Sequence, residues 1–390
     1  MTELGRRRPW AYLVAAMMLL LTLVPTAGAQ SNPFLGRGMW IWYVSASSGG
    51  SLSSIVAKAH RYGIKTVMIK SGDGTNVWSQ FSPQLVSTLH ANGLRVCAWQ
   101  YVYGTHPVFE ANVGATAVRN GADCLLIDAE SEYEGKYTQA QSYITQLRKQ
   151  IGASFPVALA GFPYVDYHPA FPYSVLLGPN GAQYNVPQMY WVDIGTSVTF
   201  VYSHTYAFNR PYGRWIYPLG QIYNNPPSAD VVRFRQLSLA YGAGGISWWD
   251  WQEATGAGWR ALSTPIGSLA GFTPNGGIAS VGLHAQGDLV VWAQEHLVSA
   301  GQRITIDGAF GPRTMQAVKN FQSALGLSAS GLITASTWRA LLRYVPAPVH
   351  WTRDVRAAAD GGGGTPYMPV PKSASLKARA DELRGHPGRG

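Results

Sequence analysis

The sequence predicts an α/β protein, in which a (β/α)8 TIM-type barrel is followed by a small all-α three-helix bundle. Two observations predict the barrel. Apolar or aromatic runs recur along the chain at intervals of about 27 to 33 residues, and the segments between them often show the apolar spacing of helices. The runs begin near Met39, Thr66, Arg95, Cys124, Val157, Val186, Trp215 and Gly245. Strand, helix and glycine in repeated succession are typical of a closed parallel barrel.

The N-terminal stretch, residues 1–29, has the features of a cleaved secretory signal. Arginines at 6–8 precede an apolar run at 11–24, and small residues at 27–29 form a cleavage site, so the mature chain is expected to begin near Gln30. The apolar run is short for a bilayer span. We therefore expect a secreted protein of the cell wall or periplasm, with no integral membrane segment after signal cleavage.

Barrel units are predicted over residues 30–271. Four of the intervening segments have clear helical spacing and end in a glycine suited to a helix terminus. These glycines are Gly63, Gly93, Gly152 and Gly242. The units after the fifth and sixth runs look irregular. In a barrel of this kind the functional site lies at the carboxyl ends of the strands.

A second unit follows a Gly-rich linker at 272–284. Its three apolar helix faces predict a three-helix bundle over 285–344, and residues 345–390 lose apolar periodicity and are predicted to be a disordered basic tail. The faces consist of Leu289, Trp292, Ala293 and Leu297, then Met315, Val318, Phe321 and Gln322, then Trp338, Leu341 and Leu342.

Composition limits the possible partners. Charged residues make up 13% of the chain and aromatic residues 12%, which favours an ordered protein with surfaces for stacking. The net charge of +10 is spread thinly rather than gathered into a basic stripe, so nucleic-acid binding is not predicted. A diffuse positive charge suits attraction to an anionic cell wall.

Asp128 and Glu130 are the candidate catalytic residues. They end the apolar run that begins at Cys124, and residues two apart on a strand share a face. Two close carboxylates shift each other's pKa, so that one can stay protonated while the other is charged, as glycoside hydrolysis requires. The alternative is that the pair only solvates a strand end or caps the following helix.

Polar and aromatic side chains alternate at the other strand ends. Such a mixture fits a polysaccharide groove, because sugar rings offer flat faces for stacking and hydroxyls for hydrogen bonds. The candidate substrate-binding residues are Lys70, Asp73, Gln100, Tyr101, Gln188, Tyr190, Trp248 and Asp250. For any single tryptophan, filling the barrel is the competing interpretation.

Neither a cofactor nor a metal is predicted. The histidines are scattered without the spacing of a zinc peptidase, and no serine-hydrolase elbow is present in the sequence. Cys97 and Cys124 both fall in predicted strands, where either a disulfide or two buried thiols would fit.

The second unit resembles the three-helix peptidoglycan-binding domain 1 family. The matching residues are Asp307, Gly308, Phe310, Gly311, Thr314, Ala317, Val318, Phe321, Gln322, Gly331, Thr337 and Trp338. The resemblance implies binding to peptidoglycan or a related polysaccharide, which would raise the local substrate concentration for the barrel.

The barrel distantly resembles the lysozyme-like glycoside hydrolases of family 25. IKSGDG at 69–74 and LIDAE at 126–130 are similar to that family's second-strand and fourth-strand motifs. The resemblance implies that Glu130 is the general acid and Asp128 its partner. The first run lacks the acid that the family carries there, and family 18 chitinase-like enzymes offer an alternative in which the substrate's acetamido group attacks.

The sequence thus favours a secreted cell-wall glycoside hydrolase that cleaves peptidoglycan glycan strands, muramidase-like, and is anchored by its C-terminal domain. Two alternatives stay open. One is a non-catalytic peptidoglycan-binding protein with a degenerate barrel, and the other is a glycosidase acting on another polysaccharide.

Overall fold

The computed structural model describes residues 32–352, and from Pro33 onward these form one compact unit. The predicted secretory signal and residues 353–390 of the predicted tail lie outside the described residues. Between 32 and 352, no helix is both long and apolar enough to cross a bilayer.

One sheet organises the barrel. Its strands are β1 (Gly36–Ile41), β2 (Thr66–Asp73), β3 (Asn76–Val77), β4 (Arg95–Val102), β5 (Cys124–Ala129), β6 (Val157–Ala160), β7 (Tyr184–Asn185), β8 (Trp215–Ile216), β9 (Leu219–Gln221) and β10 (Gly245–Trp249). The strands lie in the order β8-β7-β6-β5-β4-β2-β1-β10-β9, and β3 forms a hairpin with β2.

The sheet closes because β8 and β9 are two parts of one extended segment, residues 215–221. β8 pairs in parallel with β7, while β9 pairs in parallel with β10 at the other end of the strand order. The eight predicted runs therefore correspond to the eight positions of a closed barrel, and the predicted fold class is confirmed.

Helices cover the outside of the barrel and form the second unit. Around the barrel they are α1 (Leu52–Arg61), α2 (Pro83–Ala91), α3 (Pro107–Arg119), α4 (Tyr137–Ile151), α5 (Tyr173–Leu176), α6 (Trp191–Ile194), α7 (Val198–Asn209), α8 (Ser228–Ala240) and α9 (Gly256–Ser263). The bundle comprises α10 (Asp288–Ser299), α11 (Pro312–Ala324) and α12 (Ala335–Leu341). In the two units that the sequence marks as irregular, α5 alone follows β6, and the short α6 precedes the longer α7 after β7.

Local sequence explains where helices begin and end. The Ser82 hydroxyl accepts a hydrogen bond from the Leu85 N–H at 3.2 Å and so caps α2. Gly93, which follows that helix, has a φ of +72°, a left-handed conformation that costs glycine little. The chain can then turn directly into β4.

Side chains alternate between the barrel interior and the helix layer. In β5, Cys124 and Leu126 pack inside the barrel, whereas Leu125 and Ile127 pack against the helices. Asp128 continues the inward set and delivers a carboxylate to the carboxyl-terminal opening of the barrel, called the mouth below.

Aromatic rings fill the interior beneath the mouth. The ring centroids of Trp40, Trp99 and Trp249 lie 5.3 to 5.6 Å apart. A disulfide joins Cys97 to Cys124, which are register partners on β4 and β5. Of the two possibilities for the cysteines, the structure therefore shows the disulfide. The three tryptophans pack against one another and fill the barrel interior.

The bundle is docked against the barrel rather than hanging from a loose linker. Asp288, at the start of α10, is fully buried. Its carboxylate accepts hydrogen bonds from the hydroxyls of Tyr137 and Tyr212, each at 2.8 Å, and from the Ser174 N–H and hydroxyl at 2.8 and 2.6 Å. The indole N–H of Trp292 donates to the Pro211 carbonyl at 2.6 Å.

Residues 345–352, which the sequence analysis assigns to the disordered tail, pack on α4. The Trp351 ring is buried, with its centroid 4.6 Å from that of Tyr137. The Gln141 side chain donates to the Val349 carbonyl at 2.7 Å and accepts from the Trp351 N–H at 3.1 Å. The expectation of disorder is therefore wrong for this short stretch, because one tryptophan finds an apolar site on the barrel.

Candidate active site

Two carboxylates and one amide form the centre of the mouth. Asp128 is buried near the end of β5, and Glu130 follows the strand and is half-buried. The Gln188 side-chain nitrogen donates to Asp128 Oδ1 at 3.0 Å and to Glu130 Oε1 at 3.1 Å. Gln188 thereby holds both carboxylates around one amide, and the two oxygens lie no more than about 6 Å apart.

Burial governs the protonation of this pair. Removal from water raises the pKa of Asp128 well above its usual range, and the Glu130 charge raises that pKa further, while the Lys70 ammonium lowers it. Burial also raises the pKa of Glu130 to about 7, against the lowering effect of the Gln188 hydrogen bond. The pair therefore retains a proton near neutral pH, as a general acid requires.

Lys70 lies beside the pair in an aromatic cage. Its ammonium is 5.2, 4.6 and 4.8 Å from the ring centroids of Trp42, Trp78 and Trp99, and it bonds to Asp73 Oδ2 at 2.6 Å. The side chain is almost fully buried. This cation is fixed by the rings and by one carboxylate, and so contributes a stationary positive charge to the mouth.

Tyr101 and Asp73 extend the polar rim. The Tyr101 hydroxyl donates to Glu132 Oε2 at 2.8 Å, and the Tyr103 hydroxyl donates to Asp73 Oδ1 at 2.8 Å. Burial, and after it the charges of nearby acids, raise the pKa of Tyr101, so its hydroxyl keeps its proton and can act as a donor. Glu132, which the sequence analysis leaves out of its candidate set, belongs to this rim.

The opposite side of the mouth carries Tyr190 and Asp250. The Tyr190 ring is mostly buried and meets the Tyr223 ring edge-on, with centroids 5.4 Å apart. Burial raises the pKa of the Tyr190 hydroxyl, and the nearby carboxyl groups of Asp128, Glu130 and Asp250 raise it further. Asp250 is itself fully buried and accepts from the Glu253 N–H at 3.2 Å.

Two expected substrate-binding residues face the wrong side of the sheet. Gln100 is fully buried against α3, where its amide nitrogen donates to the carbonyls of Gly74 and Glu110 at 2.9 and 2.8 Å. Trp248 is also fully buried and packs on the Phe234 ring of α8, with centroids 5.2 Å apart. Strand alternation points both side chains into the helix layer, so neither belongs to the site.

The structure adds residues that the sequence analysis did not commit to. Trp42 follows β1, and its backbone N–H donates to the Gln252 side-chain oxygen at 3.2 Å. Asp193 accepts from the Gln221 and Asn224 amides at 3.1 and 3.0 Å, and also from the Tyr223 hydroxyl. Period-two alternation of Trp40 and Trp42 in MWIWYV is the signal that could have placed Trp42 in the mouth.

No three His, Cys, Asp or Glu side chains converge as a candidate metal site within residues 32–352. The polar groups that do converge at the mouth are carboxylates, amides, phenols and the Lys70 ammonium.

Comparison with known proteins identifies the class of the C-terminal domain. Residues 286–341 match the family described as a putative peptidoglycan binding domain, which confirms the predicted bundle and its type. A 131-residue segment is 32% identical to a zinc D-Ala-D-Ala carboxypeptidase of Streptomyces albus G, covering 32% of this chain and 48% of that protein. The match thus spans about half the length of this curated relative.

Several solved structures align with part of this chain at low sequence identity. A fungal endo-β-N-acetylglucosaminidase of glycosyl hydrolase family 18 is 13% identical, with 59% of this chain and 96% of that chain covered and a TM-score of 0.44. The Bacillus cereus spore cortex-lytic enzyme SleL is 12% identical, with 58% and 73% covered and a TM-score of 0.42. The specific resemblance to family 25 remains a prediction.

Proposed function

We propose that this protein is a cell-wall glycoside hydrolase that cleaves the glycan strands of peptidoglycan. The observation that carries the proposal is the pair of buried Asp128 and half-buried Glu130 at the carboxyl end of a barrel strand, held together by Gln188. The peptidoglycan-binding domain at 286–341 supports the choice of polymer.

Glu130 is the proposed general acid. It is the more accessible of the two carboxylates, and burial raises its pKa to about 7, so it can hand a proton to a glycosidic oxygen at neutral pH. Loss of the leaving group produces positive charge on the sugar ring. Asp128 then orients a substrate acetamido group or, once it has lost its own proton, stabilises that charge.

The spacing of the pair favours retention of anomeric configuration. Inverting enzymes leave about 6.5 to 9.5 Å between their carboxyl groups for a water molecule. Here the two oxygens bonded to Gln188 lie no more than about 6 Å apart, which leaves less room for such a water. We therefore propose a covalent or acetamido-assisted route rather than direct inversion.

The test follows new reducing ends during incubation with purified peptidoglycan. Glu130→Gln should slow their release about a hundredfold or more while sedimentation with the wall is unchanged. Glu134→Gln is the matched control, because Glu134 is an exposed neighbour that pairs with His168 at 2.6 Å. Equal activity in Glu130→Gln and the unmodified protein would overturn the catalytic assignment.

A second candidate function is peptidoglycan binding without catalysis. The observation that favours it is the end of β1, where Trp42 and Tyr43 occupy the position at which the family 25 resemblance implies an acid. Binding to several wall types, with no new reducing ends from the unmodified protein, would establish this alternative.

A further inference from the structure

A pocket of about 480 Å³ opens beside the mouth, on the side of β1 and β2. It is lined by Tyr43, Asp73 and the hairpin segment 76–80. Its volume falls within the range of about 300 to 1,000 Å³ that is typical of small-molecule sites. None of its lining residues belongs to the carboxylate pair.

The pocket combines an aromatic wall with a polar one. The rings of Tyr43 and Trp78 lie 5.1 Å apart between centroids and are tilted by 37°. Asp73 presents a carboxylate that Lys70 and the Tyr103 hydroxyl already orient at 2.6 and 2.8 Å. Because Lys70 balances the Asp73 charge, the pocket suits a neutral ligand with hydroxyl groups and a flat apolar face better than a cation.

The hairpin that forms the pocket is held in place by the side chain of Gln80. The Gln80 side-chain oxygen accepts from the Val44 N–H at 3.0 Å, and its nitrogen donates to the carbonyls of Trp42 and Lys70 at 2.7 and 2.9 Å. These bonds attach the hairpin to the ends of β1 and β2. The pocket is therefore formed before any ligand arrives, which lowers the ordering cost of binding.

Its position relative to the acids fits a chain of sugars. One strand, β4, separates β2 from β5, so the two sites are about two strand spacings, or roughly 10 Å, apart around the mouth. The Lys70 ammonium lies between them, paired with Asp73 and acting on the pKa of Asp128. A polymer bound at Asp128 and Glu130 can thus place a ring more than one sugar away in the pocket.

We propose that this pocket is an outlying sugar subsite for an N-acetylated hexose glycan whose scissile bond lies at the carboxylate pair. Trp78 is the stacking surface, and Asp73, Asn76 and Ser79 receive the hydroxyls. The placement of the scissile bond rests on the proposed function.

The test measures the affinity of peptide-free glycan fragments by calorimetry, using the full chain with Glu130→Gln to prevent turnover. This Glu130→Gln protein, called the parent below, should bind a hexasaccharide more tightly than a disaccharide. Trp78→Ala should weaken hexasaccharide binding about tenfold, since it removes one stacking surface, and should weaken disaccharide binding much less. Ser79→Leu, which places a bulkier apolar side chain at the pocket wall and keeps Trp78, should act in the same direction.

Trp215→Ala is the matched control, because Trp215 is 72% exposed and begins a barrel strand at the end opposite the mouth. It should change neither affinity. The subsite is overturned if the parent binds both fragments equally, if Trp78→Ala and Ser79→Leu bind the hexasaccharide as the parent does, or if they weaken both fragments alike.

The experiments distinguish a failure of the proposed subsite from a failure of the proposed catalysis. Loss of hexasaccharide binding in both pocket variants supports the subsite even if the protein with Glu130 intact releases no reducing ends. Efficient cleavage with unaltered hexasaccharide affinity in both variants supports catalysis and removes the subsite.

Discussion

Replacing Gln188 by methionine tests whether the amide sets the proton affinity of the carboxylate pair. Methionine is similar in size and has no N–H, so Gln188→Met removes the bonds to Asp128 and Glu130 at 3.0 and 3.1 Å without opening a large cavity. The Gln188 bond lowers the pKa of Glu130, since it stabilises the charged form. Its loss should therefore raise that pKa further.

The magnitude follows from the strength of such bonds. A hydrogen bond to a charged group contributes about 1.5 to 3 kcal/mol, and about 1.4 kcal/mol corresponds to one pKa unit, so the expected shift is roughly 1 to 2 units. The protonated acid is the active form, and activity falls as pH rises through its pKa. From a starting value of about 7, the alkaline limb of the activity profile should move upward by this amount.

The assay is the rate of reducing-end release from peptidoglycan between acid and alkaline pH, normalised to the maximum of each protein. Gln183→Met is the control, because Gln183 accepts from the Val157 N–H at 2.9 Å at the other end of the barrel. It should lower stability without moving the alkaline limb. An unmoved or downward-shifted limb in Gln188→Met would refute the assignment of Gln188 as the group that stabilises the charged pair.

Two further predictions concern stability. Asp288→Ala should lower the free energy of unfolding by about 3 to 5 kcal/mol in urea titrations, because it leaves the buried donors of Tyr137, Tyr212 and Ser174 unpaired. A loss below about 1 kcal/mol would show that the bundle is not held by this carboxylate. The double variant Cys97→Ala and Cys124→Ala should lose about 3 to 4 kcal/mol, since the disulfide closes a loop with a sequence separation of 27, and an unchanged urea midpoint under oxidising conditions would contradict this.

The barrel and the carboxylate pair were accessible from sequence because both depend on short-range periodicity. A strand buried on both faces appears as an apolar run, and the two-residue spacing of Asp128 and Glu130 at the end of this run predicts that they share a face. The same rule applied strictly would have separated Gln100 from Tyr101, since adjacent residues on β4 cannot both face the mouth.

Trp248 shows where this reasoning ends. In GISWW both faces of β10 are apolar, so the composition of the run does not say which tryptophan enters the barrel and which meets Phe234 on α8. Only the pairing of β10 with β1 and β9 determines which of the two tryptophans points into the barrel.

The sequence by itself determined the fold class and the C-terminal domain family, and it singled out the two candidate acids, because each is encoded within a few dozen consecutive residues. Tertiary structure alone decided that Gln188 bridges the acids, that Lys70 lies among three tryptophans, and that Asp288 locks the bundle to the barrel. These contacts join residues distant in the chain. Their partners are selected by strand register and by the requirement that buried polar groups be hydrogen-bonded, and neither leaves a local pattern in the sequence.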